Sequence, residues 1–222
     1  EDLLAAGVAD RLADAGVAVF GPSAEAARLE SSKHFAKEFM ARHGIPTAAF
    51  HGFHDADAAE AHVRARGGAC VVKADGLAAG KGVFVCAGPA QALRAIGEVM
   101  RERRFGASGA EVVIEERLEG QEASFYAICD GERFAVFSHA QDHKRALDGD
   151  LGENTGGMGA YSPAGPIDAA LEREIVETIV RPTVAGMRAE GRPFRGALFV
   201  GLMIDAGRPR VIEFNARFGD PE

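Results

Sequence analysis

The most informative segment of the sequence is Lys73-Ala74-Asp75-Gly76-Leu77-Ala78-Ala79-Gly80-Lys81-Gly82-Val83. It is a glycine-rich loop between two apolar runs that are typical of strands. Glycines let a backbone approach a ligand, and amides beside lysines favour a phosphate. The loop is not a Walker A motif, because Gly76 and Gly80 are one residue too close and a strand follows instead of a helix. The sequence predicts a phosphate-binding flap between two strands, with a plain hairpin as the alternative.

Lysine is scarce in this chain. Of 25 basic residues only five are lysines, and four of the five lie in short segments that contain Gly, Asp or Ser. A compact ammonium on a flexible stem suits a point contact to a phosphate. The alternative is a chance distribution of Lys33, Lys37, Lys73, Lys81 and Lys144.

A cluster of carboxylates follows the apolar run at residues 112–114. Glu115 and Glu116 end that run, and Glu122 comes shortly after. A strand end of this kind can present an acid and backbone groups to an adenine edge, and a second acid to ribose hydroxyls. The alternative is a charged turn beside an edge strand.

The C-terminal strand carries three polar side chains at alternate positions. On a strand, Glu213, Asn215 and Arg217 share one face. Carboxylate and amide oxygens suit Mg²⁺, and a guanidinium can neutralise a phosphoryl group in transfer. We therefore predict a metal and phosphate site on this strand, with a half-buried strand that has one polar face as the alternative.

A long segment rich in Gly, Asp and Asn separates His139 from Pro166. Loops of this length inside compact domains are usually functional or disordered. Its backbone amides, together with Lys144 and Arg145, could clamp either a phosphorylated substrate or a nucleotide phosphate. The residues alone leave both possibilities open.

The apolar periodicity predicts an α+β protein of two lobes with a cleft between them. Ser32 and Asp168 are expected to cap helices, and Pro182 to kink or interrupt one. The predicted helices are 2–15, 33–42, 57–66, 89–103 and 168–190, and the predicted strands are 17–20, 47–50, 70–75, 83–87, 111–116, 123–130, 133–137, 196–204 and 210–214.

Composition excludes several classes of function. A net charge of −8 and a pI near 5.4 give no basic surface for nucleic acid. No apolar run approaches the roughly 20 residues of a membrane span, and the first residues lack the basic start of a secretory signal, so we expect a cytoplasmic protein.

The three cysteines, Cys70, Cys86 and Cys129, each lie in an apolar run and are expected to be buried thiols. The seven histidines show no zinc-binding spacing.

Taken in order, these segments resemble the glycinamide ribonucleotide synthetase family of ATP-grasp ligases. The resemblance covers nearly the whole chain and implies an ATP-grasp fold with the nucleotide in the cleft between the lobes. It divides the chain into the end of an N-terminal α/β domain (1–22), two parts of an A lobe (23–66 and 139–222) and a B lobe with the flap (67–138). Since members of the family have further domains on both sides, the chain is expected to be a fragment.

The resemblance also implies roles for individual residues. It implies that Glu213 and Asn215 ligate a metal ion, either Mg²⁺ or Mn²⁺. The neighbouring strand, at residues 202–204, lacks the second metal carboxylate that many ATP-grasp enzymes have. The resemblance assigns catalytic roles to Arg217, Lys81 and Lys144. The residues that it implies as ATP contacts are Lys37, Lys73, Gly76, Leu77, Gly80, Lys81, Gly82, Glu115, Glu116, Leu118 and Glu122.

The implied reaction joins glycine to 5-phosphoribosylamine through a glycyl phosphate, at the expense of ATP, in purine biosynthesis. Nucleic acids and membranes are not expected as partners, and the sequence does not indicate an oligomeric state. Two alternatives remain at this point. One is an ATP-grasp carboxylate–amine ligase with another acceptor, and the other is a nucleotide-binding fragment without activity.

Overall fold

A computed structural model describes residues 1–78, 80–143, 145–148, 151–154 and 158–221. The α-helices of these residues are α1 (Asp2–Ala5), α2 (Val8–Asp14), α3 (Ala24–Ser31), α4 (Lys33–Arg42), α5 (Ala56–Arg66), α6 (Pro89–Ile96), α7 (Ala169–Ile175) and α8 (Arg181–Ala189). The strands are β1 (Phe50–Phe53), β2 (Cys70–Ala74), β3 (Val83–Cys86), β4 (Val112–Glu116), β5 (Gln121–Asp130), β6 (Phe134–Asp142), β7 (Arg145–Leu147), β8 (Leu151–Asn154), β9 (Ala160–Tyr161), β10 (Arg195–Asp205) and β11 (Arg208–Asn215).

The chain divides into two compact units. The small unit comprises Ser31–Glu38 and Ala48–Leu118, and the large unit comprises Glu1–Glu30, Phe39–Thr47 and Glu119–Glu222. Each unit combines helices with an antiparallel sheet, which confirms the predicted α+β class. None of the described helices is long and apolar enough to span a membrane.

The small unit is a four-stranded antiparallel sheet in the order β1-β4-β2-β3. Helices α5 and α6 pack on it, and their buried faces form one apolar cluster with the sheet. Asp55 starts α5, since its carboxylate accepts a hydrogen bond of 2.8 Å from the amide of Ala58. The buried cluster includes Ala59, Val63, Val72, Ile96, Val99, Val112 and Ile114.

The large unit contains a five-stranded antiparallel sheet in the order β11-β10-β5-β6-β9, and β7 and β8 form a separate pair. The turn between β10 and β11 contains Ala206 and Gly207, both with positive φ. One bulge interrupts this hairpin, between Gly201 and Leu202. Helix α7, a π-helical turn at Val176–Val180 and α8 follow one another without a break and bury one apolar side.

Several predicted elements are confirmed. Helix α4 spans the predicted residues, and Ser32 Oγ accepts a hydrogen bond of 3.1 Å from the amide of Phe35. Asp168 caps α7 through bonds of 2.9 and 2.8 Å to the amides of Ala170 and Leu171. The two strands beside the glycine-rich loop and the final hairpin also form within a residue or two of the predicted limits.

Other predictions were wrong. Residues 17–20 form no strand, and Val17 and Phe20 are 50% and 61% exposed. The predicted helix 2–15 is divided in two at Gly7, which has a φ of +78°. The strand predicted at 47–50 begins only at Phe50, and Thr47 makes an isolated bridge to Val211. Helix α3 was not predicted at all.

Two further details differ. The segment 139–166, expected to be a long loop, contains the end of β6 and the strands β7, β8 and β9. The interruption expected at Pro182 is the π-helical turn before it, which accommodates a residue that has no N–H to donate. The limits of the compact units differ from the domain limits that the resemblance implies. Residues 48–66 lie in the same compact unit as 67–118, and residues 119–138 lie in the same unit as the residues that follow them. The domain limits drawn from the resemblance stay a prediction.

Candidate functional site

The small unit buries one carboxylate between two lysines. Glu115 Oε2 lies 2.8 Å from Nζ of Lys37, and its Oε1 lies 3.0 Å from Nζ of Lys73. All three side chains are 2–4% exposed. Separating these buried charges would leave them without their counter-ions, so the attraction between the carboxylate and the two ammonium groups holds the three side chains together. As a group of three it carries one excess positive charge, which favours an anion nearby.

Three different elements supply this group. Lys37 lies on α4, Lys73 on β2 and Glu115 on β4. Within the sheet Lys73 pairs with Val113, so Glu115 is its diagonal neighbour on the same face of the sheet. The structure thus brings together three residues that the family resemblance assigns to ATP and that lie far apart in the sequence.

The start of the glycine-rich loop is anchored to the start of α4. Asp75 Oδ1 accepts hydrogen bonds from the amide of His34 (2.7 Å) and from Ser32 Oγ (3.2 Å). Nζ of Lys33 donates a bond of 3.1 Å to the carbonyl of Gly76. Sequence reasoning assigned Asp75 no role beyond its place in the loop, although an acid directly before a glycine loop is a common anchor of turns.

The loop glycines have two different reasons to be glycine. A Cβ on Gly76 would lie 2.5 Å from Oγ of Ser108, and one on Gly82 would lie 2.8 Å from Cβ of Ala78. Both positions are therefore fixed by close packing rather than by freedom of the backbone. Gly80 instead has a φ of +72°, a conformation that other residues rarely adopt.

The rest of the predicted flap and hinge is more exposed. The carbonyl of Leu77 accepts a bond of 2.7 Å from Oγ of Ser108, and Lys81 is exposed. Glu116 pairs through its backbone amide with the carbonyl of Ala49 at 2.8 Å. Leu118, which is half-buried, is the last residue of the small unit, while Glu122 is exposed and belongs to the large unit.

In the large unit, β11 places the two predicted metal ligands on one face. Glu213 and Asn215 are both half-buried, and Glu213 lies opposite Gly201 on β10. A Cβ on Gly201 would come within 3.2 Å of Cγ of Glu213, so the glycine leaves room for that carboxylate. A carboxylate and an amide oxygen on one face are a donor set that a hard cation such as Mg²⁺ accepts.

Arg217 lies beyond the end of β11 and is held by a buried acid. Its Nε is 3.1 Å from Oε1 of Glu30, and its Nη2 is 3.5 Å from Oδ1 of Asn215. Glu30 also accepts a hydrogen bond of 2.9 Å from the amide of Ala216.

Burial raises the pKa of Glu30, although the hydrogen bond from that amide and the charge of Arg217 both act to lower it. Sequence reasoning missed Glu30 because it missed the helix that carries it.

The proposed phosphate clamp is only partly described. Lys144 and residues 155–157 lie outside the described residues, as does the side chain of Arg145. On either side of them, His143 and Gly159 are joined by a backbone bond of 2.9 Å, and Gln141 Nε2 donates to the carbonyl of Glu122 at 2.9 Å. The predicted role of this segment therefore stays a prediction.

The cysteines are buried and free, as predicted. Burial raises the pKa of Cys86 to about 11 and that of Cys129 to about 12, and it raises the pKa of Cys70 in the same direction. Thiols of this kind are poor nucleophiles at neutral pH.

Comparison with known families identifies the family of this chain. The family model for the phosphoribosylglycinamide synthetase ATP-grasp (A) domain matches residues 31–222. The chain belongs to this family. The assignment confirms the resemblance that the sequence motifs indicated.

Curated relatives of the synthetase family agree. The chain is 53% identical over 222 residues to a phosphoribosylamine–glycine ligase of Streptococcus pyogenes, with 100% of this chain and 53% of the relative covered. It is 55% identical over 220 residues to the ligase of that name from Xanthomonas axonopodis, with 99% and 51% covered. The chain thus spans about half the length of the curated relatives it matches.

Solved structures confirm the ATP-grasp fold of the synthetase family. The crystal structure of phosphoribosylamine–glycine ligase from Thermotoga maritima matches with a TM-score of 0.84 and 37% identity, over 91% of this chain and 51% of that one. A biotin carboxylase from Campylobacter jejuni matches with a TM-score of 0.77 over 99% of this chain and 48% of that one. At 20% identity this second likeness concerns the fold alone.

Proposed function

We propose that the protein to which this chain belongs is an ATP-dependent phosphoribosylamine–glycine ligase. It would join glycine to 5-phosphoribosylamine and release ADP and phosphate. The observation that carries the proposal is the buried group of Lys37, Lys73 and Glu115 beside the glycine-rich loop. The names of the relatives support the choice of the two substrates.

The nucleotide is assigned mainly to the small unit. Lys37 and Lys73 offer fixed ammonium groups for the phosphates of ATP, since Glu115 and the surrounding sheet hold both in place. The flap, residues 76–82, would contribute backbone amides and the exposed Lys81. The segment from Glu115 to Leu118, together with Glu122, is assigned to adenine and ribose.

The divalent cation is assigned to β11. Glu213 and Asn215 would hold Mg²⁺ or Mn²⁺ through their side-chain oxygens. When bound, such an ion neutralises charge on the phosphates of ATP. Arg217, which lies just beyond the end of the same strand and is held by Glu30, would stabilise negative charge on the phosphoryl group in transfer.

The proposed reaction has two displacements. A carboxylate oxygen of glycine attacks the γ-phosphorus of ATP, the bond from that phosphorus to the bridging oxygen breaks, and ADP leaves. The amine of phosphoribosylamine then attacks the carbonyl carbon of glycyl phosphate, and phosphate leaves with the oxygen it gained. The amine loses its proton to the departing phosphate or to water. No enzyme nucleophile is needed, in agreement with three buried thiols of raised pKa.

Lys144 and Arg145 are assigned to the phosphate of phosphoribosylamine or to that of the nucleotide. Either ligand would need cationic groups and amides in this segment, because a phosphate monoester carries close to two negative charges.

An enzyme that acts on glycine and 5-phosphoribosylamine would work in the cytoplasm, where ATP is supplied.

Steady-state formation of ADP by the whole protein tests this function. ADP should form from MgATP only when glycine and phosphoribosylamine are both present, and Glu213→Ala should abolish it. Arg210→Ala, on the same strand, is the matched control and should retain ADP formation. ADP formed with a different amine acceptor, and none with phosphoribosylamine, would overturn the choice of substrate and leave the fold unaffected.

A further inference from the structure

Three potential metal ligands from distant parts of the sequence converge in the small unit. They are His34, His54 and Glu111, and one ligand atom of each lies within 4.8 Å of those of the other two. Nδ1 of His54 is 3.3 Å from Oε2 of Glu111, and Nδ1 of His34 lies against Oε1 of the same carboxylate. None of these residues is assigned a role in the proposed ligase reaction.

The sheet and a helix start fix the positions of the three residues. The last pair between β1 and β4 is Phe53 with Val112, so His54 and Glu111 are the next residues along the two strands. His34 is placed by its backbone amide, which donates to Asp75. The cluster therefore joins three elements of the small unit, namely β1, β4 and the start of α4.

The His34 ring has the orientation that metal-binding histidines usually have. It packs on Gly52, where a Cβ would lie only 2.7 Å from its Cε1 and Nε2 atoms. While Nδ1 faces Glu111, Nε2 lies 3.4 Å from Oε1 of Glu38, one helical turn away. A histidine that ligates a metal through one nitrogen commonly donates its other N–H to such a carboxylate.

Glu111 supplies the negative charge at the centre of the cluster. Its side chain is 14% exposed, and its buried Oε1 atom contacts Nδ1 of His34 without forming a hydrogen bond of acceptable geometry. A buried carboxylate oxygen in that state is costly, and a cation bound between the carboxylate and the two imidazoles would compensate it.

We propose that His34, His54 and Glu111 bind a divalent transition-metal ion of the Zn²⁺ class, with water as the fourth ligand. Two imidazole nitrogens and one carboxylate oxygen favour such ions over Mg²⁺, which prefers oxygen ligands. A tetrahedral shell with bonds of about 2.0–2.1 Å separates its ligand atoms by about 3.3 Å, so small side-chain movements suffice. The ion would link β1, β4 and α4 and stabilise the small unit.

The test is calorimetric titration of Zn²⁺ into the whole, untagged, metal-stripped protein, with excess Mg²⁺ present to occupy sites made only of oxygen ligands. We expect one Zn²⁺ site, whose affinity falls at least about tenfold in His54→Ala. His54 is 77% exposed, so its removal should leave packing intact, as circular dichroism can verify. His51→Ala, which removes an exposed histidine three residues away, should bind Zn²⁺ as the wild type does.

Two further measurements make the outcome decisive. Saturating Zn²⁺ should raise the Tm of the wild type and of His51→Ala but not that of His54→Ala. Co²⁺ in place of Zn²⁺ should give visible absorption of a four-coordinate ion, which Glu111→Gln should weaken. Equal Zn²⁺ affinity in the wild type and His54→Ala, or an equal loss in His51→Ala, would overturn the proposal. Neither result depends on ligase activity.

Discussion

At the scale of single residues, Glu115 is the side chain on which the nucleotide assignment depends most. It neutralises one of two buried ammonium groups and fixes both, with N···O distances of 2.8 and 3.0 Å. The loss of one partner from a buried ion pair usually costs more than the pair contributes, because the remaining charge stays buried and unpaired. Glu115 is therefore expected to matter for folding as well as for binding.

Glu115→Gln should lower the free energy of unfolding by about 3–5 kcal/mol, because it leaves Lys37 and Lys73 without their shared carboxylate. Urea unfolding at neutral pH measures this change. Glu119→Gln, an exposed acid four residues away, is the matched control and should stay within about 0.5 kcal/mol of wild type. A difference between the two variants below about 1 kcal/mol would contradict the structural assignment.

Glu30 gives a prediction about pH. Since burial raises its pKa above the unfolded value, the folded state holds the proton more tightly, and stability is lost as pH rises through the folded pKa. The stability of wild type minus that of Glu30→Gln should therefore decrease from pH 4.5 upwards. Glu177→Gln should behave differently, because the hydrogen bond from Arg181 lowers the pKa of Glu177. The stability of wild type minus that of Glu177→Gln should be constant above about pH 4.5 and decrease as the pH falls below it. Parallel pH profiles for wild type and Glu30→Gln would show that burial does not control this carboxyl.

At the scale of elements, the glycine-rich loop is a packed structure at both ends. Gly76 contacts Ser108, and Gly82 contacts Ala78. We expect Gly76→Ala to cost about 1–3 kcal/mol through overpacking and to weaken ATP binding, because the displaced backbone carries the proposed phosphate amides. Equilibrium ATP binding and urea unfolding measure both effects.

Gly97→Ala is the control for this change. Gly97 has helical angles and open space at the Cβ position, so alanine there should be neutral or slightly stabilising. Unchanged ATP affinity in Gly76→Ala would mean that the start of the loop does not position the phosphates.

Local patterns predicted those elements whose signals are complete within a few residues. The strands beside the loop are bounded by glycines, and α4 has both its cap, Ser32, and its stop, Gly44. The strand predicted at 17–20 failed because a strand also needs a partner, and an apolar run of four residues cannot show whether one exists. Helix α3 also has a local signal, since Ser23 Oγ caps it by accepting a hydrogen bond of 3.2 Å from the amide of Ala26.

At the scale of the whole molecule, the limits of sequence reasoning are limits of long-range pairing. The motifs indicated Lys37, Lys73 and Glu115 one at a time, and the family resemblance assigned them to one ligand. Nothing in the spacing of His34, His54 and Glu111 indicates that they meet, because only the register of β1 on β4 brings the last two together. The spacing on the C-terminal strand likewise indicates Arg217 but not its partner Glu30, which a helix far earlier in the chain supplies.

In the proposed reaction the carboxylate of glycine, rather than water, receives the γ-phosphoryl group of ATP. Turnover of the whole protein with glycine labelled with ¹⁸O in both carboxylate oxygens tests it directly, with mass spectrometry of the phosphate released. The proposed reaction predicts one ¹⁸O atom in each phosphate, because the attacking oxygen leaves with the phosphorus. Amide formation accompanied by unlabelled phosphate would contradict it.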